Sequence, residues 1–147
     1  MKSSNVTLNE PIVVEELFDL SVEAVWQAIT DHGEMVQWYF DNLPGFKAEV
    51  GFKVKFPVEN PPRTFTHNWE VVKVKESKLI SYTWNYDEYP GDSLLEMHLK
   101  NLNGKAHFKL VHFTTESFPD DIPEFKRESG VEGWKFFVGR LKAFLSQ

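Results

Sequence analysis

Residues 93–113 read SLLEMHLKNLNGKAHFKLVHF, and this stretch decides the fold. Two runs of alternating apolar and polar residues flank Asn103-Gly104, the dipeptide that a two-residue type I′ turn favours. The stretch is therefore predicted to be a β-hairpin in which Leu102 lies opposite Lys105. Because side chains alternate along a strand, this register assigns every residue of the hairpin to one of two faces.

The two predicted faces differ in polarity. The inner face carries Leu95, Met97, Leu99, Ala106, Phe108, Leu110 and His112. The outer face carries Glu96, His98, Lys100, Lys105, His107 and Lys109. An antiparallel sheet that is apolar on one side must be covered on that side by another element.

The C-terminal segment, residues 128–147, is the only predicted element long enough to provide this cover. At helical periodicity its apolar side chains form one stripe, which consists of Trp134, Phe137, Val138, Leu141, Phe144 and Leu145. Gly130 and Gly133 are poor helix formers and are interpreted as a soft helix start or as a close approach to the sheet. Phe136 lies outside the stripe, so it is a candidate for contact with a partner.

The segments before the hairpin complete the order of elements. Residues 1–9 read as a flexible lead-in, and residues 10–147 read as a single domain. A strand is predicted over residues 11–20, followed by two short helices over residues 21–30 and 34–40.

From residue 47 to residue 113 the pattern changes to period two, which indicates an antiparallel sheet. Residues 58–63 and 85–92 are predicted to be loops, with Pro90-Gly91 as the turn of the second loop. Because strands and helices are segregated along the chain, the predicted fold class is α+β.

The overall composition excludes several classes of protein. With 147 residues, a net charge of −6 and no basic stripe, the chain is not expected to bind nucleic acid. It has no cysteine, which excludes disulfides and thiolate metal sites. No apolar run reaches the roughly 18–20 residues of a membrane span, and the first residues lack the apolar core of a signal peptide. A cytoplasmic location is therefore predicted.

The chain has no nucleophile, phosphate-loop or metal motif, so no catalytic residue, cofactor or metal site is predicted. His112 is interpreted as the one histidine that faces inward. It is read either as an acid, base or ligand anchor, or as a rim residue bonded to backbone or water. Glu16 shares the face of Phe18, where it needs a hydrogen-bond donor unless it lies at an edge that water reaches.

Six motifs follow one another in a specific order: FDLSVEAVWQAITD from residue 18, MVQWYF from 35, VGFKVKF from 50, KLISYTW from 78, LVHF from 110 and EGWKFFVGRLKAFL from 132. With these motifs the chain resembles the Activator of Hsp90 ATPase homolog 1-like proteins of the START-like, or Bet v 1-like (SRPBCC), superfamily. The resemblance implies a helix-grip fold. In that fold a curved antiparallel sheet wraps around a long C-terminal helix, and two short helices follow the first strand.

The resemblance also implies a cavity between the sheet and the C-terminal helix, where relatives hold hydrophobic small molecules. Aromatic residues make up 15% of the chain, which suits either a lined cavity or a dry aromatic core. The predicted lining consists of Trp38, Tyr82, Trp84, Met97, Phe108, Leu110, His112, Trp134, Phe137, Val138 and Leu141.

Three functions remain open from the sequence. The leading hypothesis is a non-catalytic protein that binds a hydrophobic, aromatic or lipid-like small molecule. The second is an enzyme of the polyketide cyclase or hydrolase type, since some relatives are aromatase/cyclases. The third is an interaction module, either homodimeric through Phe136 or linked to chaperones. Hsp90 activation itself is not expected, because the eukaryotic co-chaperone engages Hsp90 with a separate N-terminal domain that has no counterpart in this sequence.

Overall fold

The computed structural model describes residues 10–147, and the lead-in predicted for residues 1–9 lies outside the described residues. Within the described range, the strands are β1 (Ile12–Phe18), β2 (Lys53–Asn60), β3 (Arg63–Lys75), β4 (Leu79–Tyr86), β5 (Tyr89–Leu102) and β6 (Lys105–Glu116). The helices of the same range are α1 (Val22–Thr30), α2 (His32–Trp38) and α3 (Arg127–Leu145), with a 3₁₀ turn at Pro123–Phe125. Over these residues, no helix is long and apolar enough to cross a membrane.

The strands form one curved sheet in the order β1-β6-β5-β4-β3-β2, and every neighbouring pair is antiparallel. β1 and β2 are consecutive in the chain but occupy opposite edges, so the segment that contains α1 and α2 must cross from one edge to the other. The long helix α3 completes the arrangement. The predicted α+β class and helix-grip architecture are confirmed.

The predicted hairpin is confirmed in its turn and in its register. Asn103 and Gly104 have positive φ angles of 55° and 88°, as a type I′ turn requires. Leu102 lies opposite Lys105. The residues predicted for the inner face are buried, except for His112, which is partly exposed.

The loop predicted over residues 58–63 is shorter than expected. β2 continues to Asn60 and β3 begins at Arg63, so only Pro61 and Pro62 form the turn. Proline has no N–H group to give to a ladder, and the pair lies just beyond the last paired residues. The proline signal therefore marked the position of the turn but overstated its length.

The turn predicted at Pro90-Gly91 lies instead at Asp87-Glu88, and Pro90-Gly91 belongs to β5. Gly91 has a φ of 121°, and a Cβ atom there would lie 2.4 Å from the ring of Phe118. Glycine is therefore required for a close approach rather than for a turn. Because Gly91 has no side chain, the ring of Phe118 packs directly against the sheet.

The two short helices share one capping residue. Asp31 ends α1, and its carboxylate accepts the backbone N–H of Glu34 at 3.1 Å. α2 therefore begins at His32, earlier than predicted, because an aspartate in the cap position starts a helix directly. The indole N–H of Trp38 donates to the carbonyl of Ala28 at 2.8 Å and joins α2 to α1.

The centre of the core is aromatic and closed. Trp38, Tyr39, Trp69 and Tyr82 are each at most 2% exposed. The hydroxyls of Tyr39 and Tyr82 are hydrogen-bonded at 2.9 Å, and burial raises the pKa of both phenols. These side chains fill the interior against α2.

Phe136 is the most exposed aromatic side chain of α3, at 61%. The guanidinium carbon of Arg140 lies 5.8 Å from its ring centroid, so the helix covers part of the ring with its own cation. With Arg140 in this position, Phe136 nevertheless remains mostly exposed. The homodimer through Phe136 stays a prediction.

Candidate ligand cavity

A cavity of about 220 Å³ lies where α3 begins, and it is called the α3 cavity below. It is open on one side and is bordered by α3, by the start of β1, by the inner faces of β4 and β6, and by the segment of residues 117–126 that leads into the helix. The lining consists of Glu10, Ile12, Trp84, Tyr86, His112, Thr114, Phe118, Glu124, Phe125, Arg127, Gly130, Gly133, Trp134 and Phe137.

Two glycines of α3 shape the cavity in different ways. A Cβ atom at Gly130 would lie 2.8 Å from the Cδ1 atom of Ile12, so this glycine lets the helix approach β1 closely. A Cβ atom at Gly133 would meet no atom within 4 Å. The missing side chain at Gly133 therefore leaves open space next to Trp134 and Phe137. Of the two interpretations of these glycines, close approach to the sheet holds at Gly130.

A chain of hydrogen bonds crosses the inner wall of the cavity. The indole N–H of Trp134 donates to Nδ1 of His112 at 2.9 Å. Because Nδ1 accepts, the ring proton of the neutral imidazole is on Nε2, which donates to the hydroxyl of Ser93 at 2.8 Å. The Ser93 hydroxyl in turn donates to the carbonyl of Trp84 at 2.7 Å.

This chain leaves His112 no free nitrogen. Burial disfavours the charged imidazolium and lowers the pKa of His112 to about 4. A second proton on Nδ1 would also face the N–H group of Trp134. His112 is therefore a neutral connector between α3 and β5, and neither ring nitrogen is available to a ligand.

Tyr86 presents a hydroxyl at the cavity wall. The indole N–H of Trp84 donates to the hydroxyl oxygen at 2.8 Å, and both rings line the cavity. Burial raises the pKa of Tyr86 to about 12, and the bond from Trp84 only partly opposes this effect. The phenol thus stays protonated near neutral pH, and its hydrogen can still be donated.

Charged residues at the rim tie the surrounding segments together. Glu124 accepts hydrogen bonds from Arg63 at 2.7 Å and from Asn60 at 2.6 Å, which fastens the 117–126 segment to the turn between β2 and β3. Arg127 donates to the backbone carbonyls of Glu10 at 2.9 Å and Pro11 at 3.1 Å. The rim charges are therefore mostly engaged within the protein.

The structure divides the predicted lining into two groups. Trp84, His112, Trp134 and Phe137 come together around the α3 cavity. The remaining predicted residues are buried in the core and do not line this cavity: Trp38, Tyr82, Met97, Phe108, Leu110, Val138 and Leu141.

Several lining residues were not predicted from the sequence. Tyr86 shares the face of Trp84 at a spacing of two, so the alternation of β4 carried a signal for it. Phe118 and Phe125 lie in an irregular segment, where no periodicity indicates which way a side chain points. Gly133 is a helix residue without a side chain, and the sequence does not show that the space beside it belongs to a cavity.

The interpretation of His112 as the one inward histidine is wrong, because His67 also faces inward. His67 is 6% exposed and lies between Phe65 and Trp69 on the alternation of β3. Its Nδ1 atom bonds the carbonyl of Phe65 at 2.9 Å, and burial lowers its pKa to about 4. The same period-two reasoning that placed His112 would have placed His67.

Glu16 on β1 forms an ion pair with a lysine of α3. Its Oε2 atom lies 3.1 Å from the Nζ atom of Lys142 on α3, and its side chain is 28% exposed. The carboxylate is therefore paired at a partly hydrated position, and it does not line the α3 cavity. Across residues 10–147, no group of three or more His, Asp or Glu side chains could hold a metal ion.

A larger open groove of about 750 Å³ lies at the outer face of the hairpin, and it is called the outer groove below. Its wall includes Lys100, His107 and Lys109. His107 is bonded to Glu15 at 2.8 Å. The wall also contains the apolar side chains of Val22, Leu99 and Val111, but no Phe, Tyr or Trp lines it, whereas aromatic rings line the α3 cavity.

The sequence of the chain matches one family of known proteins. The sequence model of the Activator of Hsp90 ATPase homolog 1-like protein family matches residues 19–146. No curated protein matches the sequence.

Solved structures with the same fold share little sequence with this chain. A Chromobacterium violaceum protein is 20% identical with a TM-score of 0.77, over 93% of this chain and 97% of that chain. The Aha1 dimer from Colwellia psychrerythraea is 17% identical with a TM-score of 0.69, over 90% and 93%. DynU16, a protein in the dynemicin biosynthetic locus, is 19% identical with a TM-score of 0.75, over 95% and 48%. These likenesses show the fold, and the match over residues 19–146 shows that the chain belongs to the Activator of Hsp90 ATPase homolog 1-like protein family.

Proposed function

We propose that this protein is a non-catalytic binding protein that holds a compact aromatic or other hydrophobic molecule in the α3 cavity. The observation that carries the proposal is a cavity walled by aromatic rings from β4, α3 and the 117–126 segment, with Gly133 in place of a side chain. Aromatic rings bury large apolar area and bind other rings by stacked or edge-on contacts. Pockets of this kind, concave and mostly apolar, are typical of small-molecule sites.

The two acid or base candidates of the sequence, His112 and Glu16, support binding rather than catalysis. General acid–base catalysis needs a side chain that can exchange a proton with the reacting atom. Both ring nitrogens of His112 are already bonded within the protein, and Glu16 is paired with Lys142 outside the cavity. We therefore place binding ahead of the cyclase or hydrolase alternative.

One relative supports a small-molecule ligand. DynU16, which has the same fold, comes from a biosynthetic locus. At 19% identity this relation transfers no substrate, so the ligand must be derived from the cavity of this chain.

The test is thermal unfolding of the purified protein with a panel of one- and two-ring aromatic compounds. A compound present at about 100 times its Kd stabilises the folded state by about 2.7 kcal/mol. For a chain of this size, each kcal/mol raises Tm by about 2–4 °C. We expect at least one compound to raise Tm by about 5–11 °C, whereas a flat response across the panel would contradict the proposal.

A further inference from the structure

We infer that the α3 cavity selects one- or two-ring aromatic molecules that carry a neutral acceptor oxygen, which the hydroxyl of Tyr86 binds. This inference rests on the proposed function and adds the ligand class. It follows from three features of the cavity: its volume, the hydrogen-bonding groups still available on its wall, and the charges at its rim.

The volume sets the size of the ligand. A cavity of about 150 Å³ can accommodate benzene, whereas drug-sized ligands occupy about 300–1,000 Å³. The α3 cavity, at about 220 Å³, lies between these values. It holds one ring or two fused rings, whereas a sterol or a long acyl chain would extend out of it into solvent.

The wall offers one hydroxyl that is held in place by the protein and can still donate to such a ligand, that of Tyr86. The N–H of Trp134, the N–H of His112 and the hydroxyl of Ser93 each donate to a protein acceptor. Tyr86 accepts the N–H of Trp84, and among residues 10–147 its own hydrogen has no assigned acceptor. The other hydroxyl of the lining belongs to Thr114 near the end of β6; both residues are partly exposed, but of these two hydroxyls only that of Tyr86 is held by a hydrogen bond within residues 10–147, from Trp84.

The rim charges favour a neutral acceptor. Glu124 lines the cavity, but its charge is compensated by Arg63 at 2.7 Å, so it offers no cation to an anionic ligand. Arg127, the cation of the lining, directs both terminal nitrogens to backbone carbonyls. A ketone or ester oxygen can accept from Tyr86 without bringing a charge into the aromatic wall, and such an oxygen loses less hydration than a carboxylate does.

The experiment compares two probes that differ at one position. In 2-acetylnaphthalene a carbonyl takes the place of the first side-chain methylene of 2-ethylnaphthalene, so ring size and shape are nearly the same. Dissociation constants are measured for the native protein, for Tyr86→Phe and for Tyr89→Phe. Tyr89 does not line the cavity, so Tyr89→Phe is the matched control.

We expect the native protein to bind the ketone about fivefold more tightly than the hydrocarbon, as a net neutral hydrogen bond implies. Tyr86→Phe should reduce this preference to less than twofold and leave the hydrocarbon affinity within twofold. Tyr89→Phe should keep the preference. In addition, the carbonyl stretch of ¹³C-labelled ketone should move to lower frequency in the native protein than in a hydrocarbon solvent, a readout that does not depend on whether Tyr86→Phe folds.

The outcomes separate this inference from the proposed function. Failure of both naphthalenes and of smaller aromatic compounds to bind would overturn the proposed function. Equal binding of both probes to the native protein, with no shift of the carbonyl stretch, would overturn only the role of Tyr86. Tighter binding of 2-naphthoate than of the ketone would overturn the neutral acceptor and assign recognition to Arg127. Tighter binding of palmitate or a sterol would overturn the size limit.

Discussion

Filling the space beside Gly133 should make the protein more stable and abolish ligand binding at the same time. A Cβ atom at this position meets no atom within 4 Å, and Gly133 lines the α3 cavity. The substitution Gly133→Leu would place an isobutyl group where the ligand is proposed to lie. Gly139→Leu is the matched control, because Gly139 lies on the same helix, is exposed and also has open space around it.

The magnitude follows from helix propensity and burial. Replacing glycine in a helix interior gains about 0.8–1 kcal/mol. The four carbons added at position 133 contribute up to about 3 kcal/mol if buried, at about 0.8 kcal/mol for each CH₂. Fixing the leucine side chain costs about 0.5–1 kcal/mol.

The two variants are therefore expected to differ. Gly133→Leu should gain about 2–3 kcal/mol, or about 4–12 °C in Tm, whereas Gly139→Leu should gain about 1 kcal/mol, or about 2–4 °C. The assay is thermal unfolding of the native protein and both variants, each with and without a binding compound. Gly139→Leu should keep the ligand-induced rise in Tm, and Gly133→Leu should lose it.

Two results would refute this reasoning. A destabilised Gly133→Leu variant would mean that the space beside the helix is not open. A stabilised Gly133→Leu variant that still binds the compound with unchanged affinity would mean that the ligand lies elsewhere.

Two further predictions concern stability. Burial lowers the pKa of His67 and His112 to about 4, against 6.5 for a free histidine, so the unfolded chain binds more protons than the folded chain between these values. The stability that the two neutral histidines confer is complete above pH 6.5 and is lost as the pH falls toward 4. At pH 5 the free energy of unfolding, measured by urea titration, should be lower than at pH 8 by up to about 2 kcal/mol for each histidine. A variant that lacks either histidine but shows the same dependence of unfolding free energy on pH would contradict the assignment. Gly91→Ala should cost about 2–4 kcal/mol, because it combines an unfavourable φ of 121° with the contact to Phe118. Gly51→Ala, where φ is 95° and no atom lies within 4 Å, should cost only about 1–2 kcal/mol, and equal losses of urea stability in the two variants would argue against the contact.

The sequence correctly predicted the elements in which the alternating or helical pattern of apolar residues continues without interruption. Asn103-Gly104 determined the hairpin register because that turn permits one pairing, and alternation then placed every inner side chain. The stripe of α3 was predicted correctly for Trp134, Val138 and Leu141, which are buried. In both cases a repeating pattern constrains many residues at once.

The α3 cavity depended on features that no local pattern encodes. Phe118 and Phe125 belong to an irregular segment whose path depends on the close contact with Gly91 and on the bonds of Glu124. Periodicity can place a residue on the inner face, but it cannot separate a lining residue such as Trp84 from a core residue such as Tyr82. That distinction depends on where α3 lies above the sheet.

The most direct test of the α3 cavity as the binding site is an isotope-filtered NMR measurement of the protein with 2-acetylnaphthalene. We predict nuclear Overhauser effects from the naphthyl protons to Trp84, Trp134 and Phe137. Contacts only to His107 and Lys109, in the outer groove, would contradict the account.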